Sequence, residues 1–341
     1  MNTKQTDFGL LRQWISKCQT DHAACQQHQG SLDQLGVTLT VVDCHSKSKV
    51  ALLQGERYLA LSYRWGKPPE CDDPWAVSAA PRTVRNAIAL TLKLGFRYLW
   101  VDRHCIDQEN EAKKARELAA MDRIYENATL TIVAMTGIDD TYDLPGMGTE
   151  PLVSQNEPSQ AVLAGHRLVS LSLDILTLVR ESEWSTRAWT FLEALLSGRC
   201  LLFTPDQVYF MCRTTYWSES LPNFPDIRLH GDGPVTEYDP YLGSDPEVSL
   251  LNLFYFDTGG LESVQSELAQ SQRNVNIYLK RVMGDENDGL NAFRGILSRL
   301  AYWSYYGVPL VTRADRGLSR TIDPITDYEN LPRLPEMVDH A

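Results

Sequence analysis

The sequence predicts an α/β fold, a parallel sheet flanked by helices, and three observations predict it. Short apolar runs end abruptly in polar and charged residues, as Tyr58–Tyr63 does before Arg64-Trp65-Gly66 and Phe96–Val101 does before Asp102-Arg103-His104. A buried parallel strand reads this way when it delivers functional groups to the carboxyl edge of its sheet. Amphipathic stripes separate the runs: Val84, Ala87, Ile88, Thr91 and Leu92, then Ala115, Leu118, Met121, Ile124 and Tyr125. A third apolar run follows at Leu130–Ala134. This strand–helix–strand–helix–strand order implies right-handed crossovers and parallel pairing.

Leu10, Leu11, Trp14, Ile15 and Cys18 recur at helical spacing within residues 8–27 and predict an N-terminal helix. Val37–Val42 and Lys49–Leu53 read as two short strands joined by the turn-rich Asp43-Cys44-His45-Ser46, a ribbon ahead of the core. The loop Lys67–Ala80 is rich in Pro and Asp, and loops of that length in compact domains are often functional. Pro81 opens the helix that Gly95 closes with a left-handed cap, and Asn110 caps the next one. Further on, Trp184–Ser197 reads as helix, Cys200–Phe203 and Gln207–Cys212 as strands, and Leu261–Val282 and Gly289–Trp303 as helices. The expected organisation is an N-terminal helix and ribbon over 1–55, a core domain over 56–215, and a helical C-terminal extension with an acidic tail over 216–341.

Composition narrows the classes of function. With 43% hydrophobic and 22% charged residues the chain is of ordinary soluble globular type. A formal charge of -12 without a basic stripe argues against a nucleic-acid partner. No run of about 18 apolar residues suggests a membrane span, and Met1–Phe8 lacks a secretory pattern. Seven cysteines without a disulfide framework read as reduced thiols in a cytosolic or nuclear compartment, and the expected localisation is cytoplasmic. Cys18, His22 and Cys25 are spaced one helical turn apart. They read either as three ligands needing a fourth, such as Cys44 or His45, or as one packed helix face. Paired C-x-x-C knuckles are absent, so no metal is assigned.

Several ordered motifs resemble the fungal HET (heterokaryon incompatibility) domain family. They are Leu61-Ser62-Tyr63-Arg64-Trp65-Gly66, Leu99-Trp100-Val101-Asp102 with Cys105-Ile106-Asp107-Gln108, Met121-Asp122-Arg123-Ile124-Tyr125-Glu126-Asn127-Ala128, and Ser185-Thr186-Arg187-Ala188-Trp189-Thr190 with Glu193. The segment from Asn291 to Leu297 is similar to the family's downstream helical region, so the resemblance runs from residue 8 to residue 310. It implies a fungal intracellular protein of a family associated with non-self recognition and programmed cell death. The chain departs from the usual pattern at Arg64, His104, Asp143 and Leu192. The HET pattern is in turn remotely similar to TIR domains, some of which cleave NAD at the nicotinamide–ribose bond. That likeness implies a TIR- or flavodoxin-like core. Ser62-Tyr63-Arg64 matches its first strand end, Asp102 its second, and Glu193, four residues after Trp189, its catalytic glutamate.

Cleaving that bond needs little acid help, because nicotinamide departs as a neutral amine. It needs stabilisation of an oxocarbenium-like ribose, which one placed carboxylate provides. Glu193 suits that role, with Asp102 as the second catalytic candidate. Trp65 and Trp189 are expected to flank a ring and Arg64 to pair with phosphate. Ser62, Tyr63, Arg103, His104, Asp107 and Arg187 complete the expected substrate or nucleotide-binding set. Plainer roles stand beside these: Glu193 paired with Arg187 or Arg199, Asp102 capping the following loop, and Arg103 paired locally with Asp107. Cys105 beside His104 invites a thiol nucleophile, but neighbours on an extended segment point to opposite faces, so packing is expected. Enzyme activity stays open. NAD is the candidate substrate, with no resident cofactor assigned. The alternatives are a HET-like enzyme recruited to secondary-metabolite biosynthesis, its pocket shaped by Arg64, His104 and Leu192, and a self-associating signalling module without catalysis.

Overall fold

A computed structural model describes residues 5–26, 38–68, 70–147, 160–163, 166–169, 175–220, 227–228, 274–283, 293, 303–305 and 308–310. The chain starts with α1 (Phe8–Asp21) and α2 (Ala23–Gln26), then the hairpin β1 (Thr40–Asp43) and β2 (Ser48–Ala51). The core runs β3 (Tyr58–Ser62), α3 (Arg82–Lys93), β4 (Tyr98–Trp100), α4 (Asp102–Cys105), α5 (Glu111–Leu118), α6 (Met121–Asn127) and β5 (Leu130–Ala134). After it come the hairpin β6 (Gln160–Leu163) and β7 (His166–Val169), then α7 (Ile175–Glu181), α8 (Ala188–Leu196), β8 (Arg199–Phe203), β9 (Val208–Cys212), β10 (Thr215–Ser218) and β11 (Ile227–Arg228). A last hairpin joins β12 (Trp303–Tyr305) to β13 (Val308–Leu310).

Nine strands form one sheet in the order β11-β10-β9-β8-β5-β3-β4-β1-β2. The α/β expectation holds, but the sheet is mixed rather than parallel. Its four central strands β4, β3, β5 and β8 are parallel, and both flanks are antiparallel. The reason is connection length: β1 reaches β2 through residues 44–47, β8 reaches β9 through 204–207, and β9 reaches β10 through 213–214. Such short links can only make hairpins, whereas parallel neighbours need a crossover of a dozen residues or more. The ribbon ahead of the core joins the sheet, since β1 pairs with β4 through Val42–Leu99 and Asp43–Tyr98.

Every residue of β3, β4, β5 and β8 is buried, as expected of strands covered on both faces. Helix α3 packs on β3 and β4, while α8 packs on β3, β5 and α6. Tyr58 and Ser62 share one face of β3 by the period of two. Tyr58 donates its hydroxyl proton to the Ile124 carbonyl on α6, at 2.6 Å. The caps fall where the sequence placed them. Asn110 accepts from the Lys113 amide, and Gly95 sits at a φ of 85° after α3.

Several details differ from expectation. The stripe after Asn110 is two helices rather than one. At Ala119-Ala120 the chain tightens into an i→i+3 bond, from the Ala120 amide to the Glu117 carbonyl, which ends α5 before α6 begins. The segment Asp102–Cys105 is a helical turn, not an extended run, because the Cys105 amide already bonds back to Val101 O and that of Ile106 to Asp102 O. In the C-terminal region residues 274–279 are helical, as is residue 293, whereas Trp303 opens β12 instead of closing a helix. The rest of the two predicted C-terminal helices lies outside the described residues. Among those residues no helix is long and apolar enough to cross a membrane.

Candidate functional site

The carboxyl edge of the parallel strands gathers most of the candidate residues. Ser62 ends β3, Asp102 opens α4 one residue beyond β4, and Glu193 projects from α8, which packs on β3. Ser62 is fully buried, and its Oγ donates to Glu193 Oε2 at 2.5 Å while accepting from Trp184 Nε1 at 2.8 Å. One hydroxyl therefore ties the first core strand to the glutamate, and an indole N–H fixes the direction of the chain. Tyr125 donates to Leu61 O at 3.1 Å, and its hydroxyl also stands against Glu193.

Asp102 is the second buried carboxylate. Its Oδ2 accepts from Trp65 Nε1 at 2.8 Å, and its Oδ1 from the Arg103 amide at 2.7 Å. Burial raises the Glu193 carboxyl from the ordinary glutamate range to about 8, and the charge of Asp102 pushes the same way. Burial likewise raises Asp102 to about 6, opposed chiefly by Arg187. The charge of Asp102 thus opposes ionisation of Glu193, and Arg187 is the cation both acids share. Its Nη1 donates to Tyr63 O at 3.0 Å. Tyr63 is buried, and its hydroxyl has no hydrogen-bond partner among the described residues.

The structural pairings foreseen for these residues are largely replaced. Glu193 does not bond to Arg199, which lies at the start of β8 with its donors on Cys18, Thr129 O and Cys25 O. Arg103 does not pair with Asp107. Its Nη1 is 2.6 Å from Asp140 Oδ2, both side chains being almost fully buried, off the line of an ideal hydrogen bond. Its Nη2 donates to Gly66 O at 2.7 Å, and its guanidinium lies 4.9 Å from the centre of the Trp65 ring. Asp107 instead closes the turn before α5, accepting from the Glu109 and Asn110 amides and from Lys113 Nζ. The helical turn at Asp102–Cys105 creates these differences, since it swings successive side chains about 100° apart rather than to alternate faces.

Trp65-Gly66 is now explained in atoms. The indole holds Asp102, the Gly66 carbonyl holds Arg103, and a Cβ on Gly66 would stand 2.2 Å from Asp140 Oδ1. Only glycine lets that carboxylate approach. His104 is buried, its Nδ1 2.9 Å from Trp75 O, which pins the long loop after Gly66; burial lowers its pKa. The Cys105 Sγ accepts from the Val101 amide at 3.3 Å, and burial pushes the thiol up to about 12. The packing role expected of Cys105 agrees with that position. Arg64 and Trp189 are less enclosed. Arg64 forms an ion pair with Glu183 across two part-exposed side chains, and Trp189 is half-buried one turn before Glu193.

Four contributors escaped the sequence reading. Trp184 and Tyr125 carry only helix and core-stripe signals in the sequence, and Asp140 carries none. Arg281 comes from beyond the core. Its Nη1 donates to Arg187 O and Thr190 Oγ1, it lies over the Phe191 ring, and burial lowers its pKa to about 10 while Glu193 acts oppositely. Segment 274–283 reaches this place by docking beside α8, where the Ala188 amide donates to Val282 O.

A carboxyl whose pKa is raised on folding stabilises the fold fully below its unfolded value, and that stability is lost as pH rises through the folded value. Glu193 and Asp102 both carry raised values. Thermal stability is therefore expected to decline between about pH 5 and about pH 8. The Glu193→Gln variant should show a flatter profile and melt higher than the parent at the upper end, by roughly 5 °C. Melting curves of both across that range check this; parallel profiles would contradict the buried titration.

The fold and this edge define an α/β domain with two interacting buried carboxylates beside a hydroxyl and two arginines. Residues 58–193 match the family model described as heterokaryon incompatibility protein (HET). The match begins on the first residue of β3 and ends on Glu193. No curated protein and no solved structure matches the chain.

Proposed function

We propose that the HET domain binds a pyridine dinucleotide such as NAD and cleaves its nicotinamide–ribose bond, in service of a non-self recognition or cell-death response. The observation that carries this reading is the pair of buried carboxylates at the carboxyl edge of the parallel strands, Glu193 held by Ser62 and Asp102 by Trp65, with the charge of Asp102 opposing ionisation of Glu193. Burying two acids together opposes folding, and such arrangements concentrate where chemistry needs them. The strand order supports it as well. Counting parallel strands in chain order gives 2-1-3-4, which places Ser62 at the point where successive crossovers diverge, the usual ligand crevice of open α/β sheets.

In this reaction the C1′–N bond breaks, nicotinamide leaves with the bonding pair, and water adds to C1′ and gives up a proton. Glu193, once ionised, stabilises the cationic ribose. Ser62 orients it, Arg187 balances the charge of the acid pair, and Arg64, part-exposed, exchanges its Glu183 partner for phosphate. The cationic nicotinamide ring itself favours ionisation of Glu193 on arrival. Asp102 holds Trp65, which with Trp189 offers aromatic faces at the same edge.

A non-catalytic, self-associating module is the second reading, favoured by how completely Glu193 and Ser62 are satisfied inside the protein. A biosynthetic role resting on Arg64, His104 and Leu192 has less support, because His104 and Leu192 are packed in the interior. The deciding experiment is release of free nicotinamide from NAD by the purified chain in a cytoplasm-like buffer. Release supports the hydrolase; none at high protein concentration leaves the self-associating module.

A further inference from the structure

The opposite edge of the sheet holds a cluster that the proposed reaction does not use. Cys18 lies in the last turn of α1, His22 is its C-cap, Cys25 belongs to α2, and Cys212 ends β9. His22 breaks the helix with φ −103° and ψ 96°, and the Cys25 amide then bonds back to His22 O. This reversal turns three side chains toward one point. Helix α1 packs on β9, which brings Cys212 to the same point. All four residues are buried, and their ligand atoms lie within 4.8 Å of one another. His22 Nδ1 is 3.2 Å from Cys212 Sγ, while its Nε2 has no hydrogen-bond partner among the described residues.

We propose that Cys18, His22, Cys25 and Cys212 hold one Zn²⁺ in a closed tetrahedral site that fastens the N-terminal helices to the antiparallel flank of the sheet. Three thiolates and one imidazole are a standard structural zinc set. Zinc–sulfur bonds of about 2.3 Å put neighbouring sulfurs about 3.8 Å apart, so the cluster needs only a small contraction. Soft thiolate ligands also disfavour magnesium, calcium and manganese. The surroundings fit a thiolate centre. Arg199, itself buried, donates its Nε–H to Cys18 Sγ at 3.1 Å and its Nη2–H to Cys25 O at 2.8 Å. Three thiolates and Zn²⁺ leave one net negative charge, which that guanidinium offsets while orienting a ligand.

Disulfide bonding explains the cluster less well. None of the seven cysteines is bridged, and three thiols could at most pair two, leaving the third and the imidazole without a role. The fourth ligand is neither Cys44 nor His45: the Cys44 thiol lies against Val42 O within the β1 region. Arg199 opens β8 and pairs in register with Cys212, whereas Ser62 closes β3, so the cluster sits across the sheet from Glu193. Four protein ligands leave no open position, which makes the site structural rather than catalytic.

The test uses the full chain, expressed with added zinc and purified under reducing conditions. Elemental analysis should find about one zinc per chain. Exchange for Co²⁺ should give intense visible bands of a tetrahedral centre and a near-ultraviolet thiolate charge-transfer band. The Cys212→Ser and His22→Ala variants should lose most of the metal and of these bands. The Cys71→Ser variant, which alters an exposed cysteine outside the cluster, should keep them. Should the first two variants fail to fold, the parent alone decides: absence of bound zinc together with absence of the cobalt bands overturns the proposal.

Discussion

Replacing Arg103 with leucine is expected to lower stability by about 3–5 kcal/mol, the largest single-residue effect the structure implies outside the sheet core. The guanidinium is almost fully buried, and it is the cation 2.6 Å from the equally buried Asp140. It also satisfies the Gly66 carbonyl and covers Trp65. Leucine fills much of the volume but leaves a buried carboxylate without its cation and the Gly66 carbonyl without its donor, and that desolvation is what the substitution exposes. Changing both partners, Arg103→Leu with Asp140→Leu, should recover much of the loss, because the uncompensated charge goes with its partner. Urea unfolding of the parent, the single variant and the double variant measures both statements. A single-variant loss below about 1 kcal/mol would mean that the pair acts like a surface ion pair.

The Glu193→Gln variant is expected to keep the fold and lose nicotinamide release by about 10²–10³-fold or more, the scale seen when one preorganised group that stabilises transition-state charge is removed. Glutamine preserves shape and can still accept from Ser62 Oγ, so the structural bond survives while the negative charge does not. The parent's kcat/KM should rise as pH increases toward about 8, where the buried carboxyl of the free protein ionises. The variant should lack that rise. A purely structural Glu193 would leave any activity unchanged while altering only stability.

Much of the fold was legible because its parallel core strands are short, wholly buried and bounded by caps and turns. The stripes that predicted α3, α6 and β5 are the same residues that form the core. What escaped is what periodicity cannot carry. A four-residue helix such as α4 is shorter than the pattern that would reveal it. The partnership of Arg103 with Asp140 joins the helical turn α4 to a loop, and the union of Cys18, His22 and Cys25 with Cys212 spans nearly the whole core; neither pairing leaves a local trace. The motifs name both Ser62 and Glu193, yet the 2.5 Å hydrogen bond between them follows only from α8 packing on β3. Arg281 had no signal at all, since a charged residue on an amphipathic helix reads as a solvated face.

If the buried acid pair serves chemistry on a dinucleotide, nicotinamide release depends on Glu193. Purified parent and Glu193→Gln protein, each verified as folded by circular dichroism, are incubated with NAD, and free nicotinamide is followed over time. Steady release by the parent and almost none by the variant is the predicted result. Equal release from both, or none from the parent at any protein concentration, would contradict the claim.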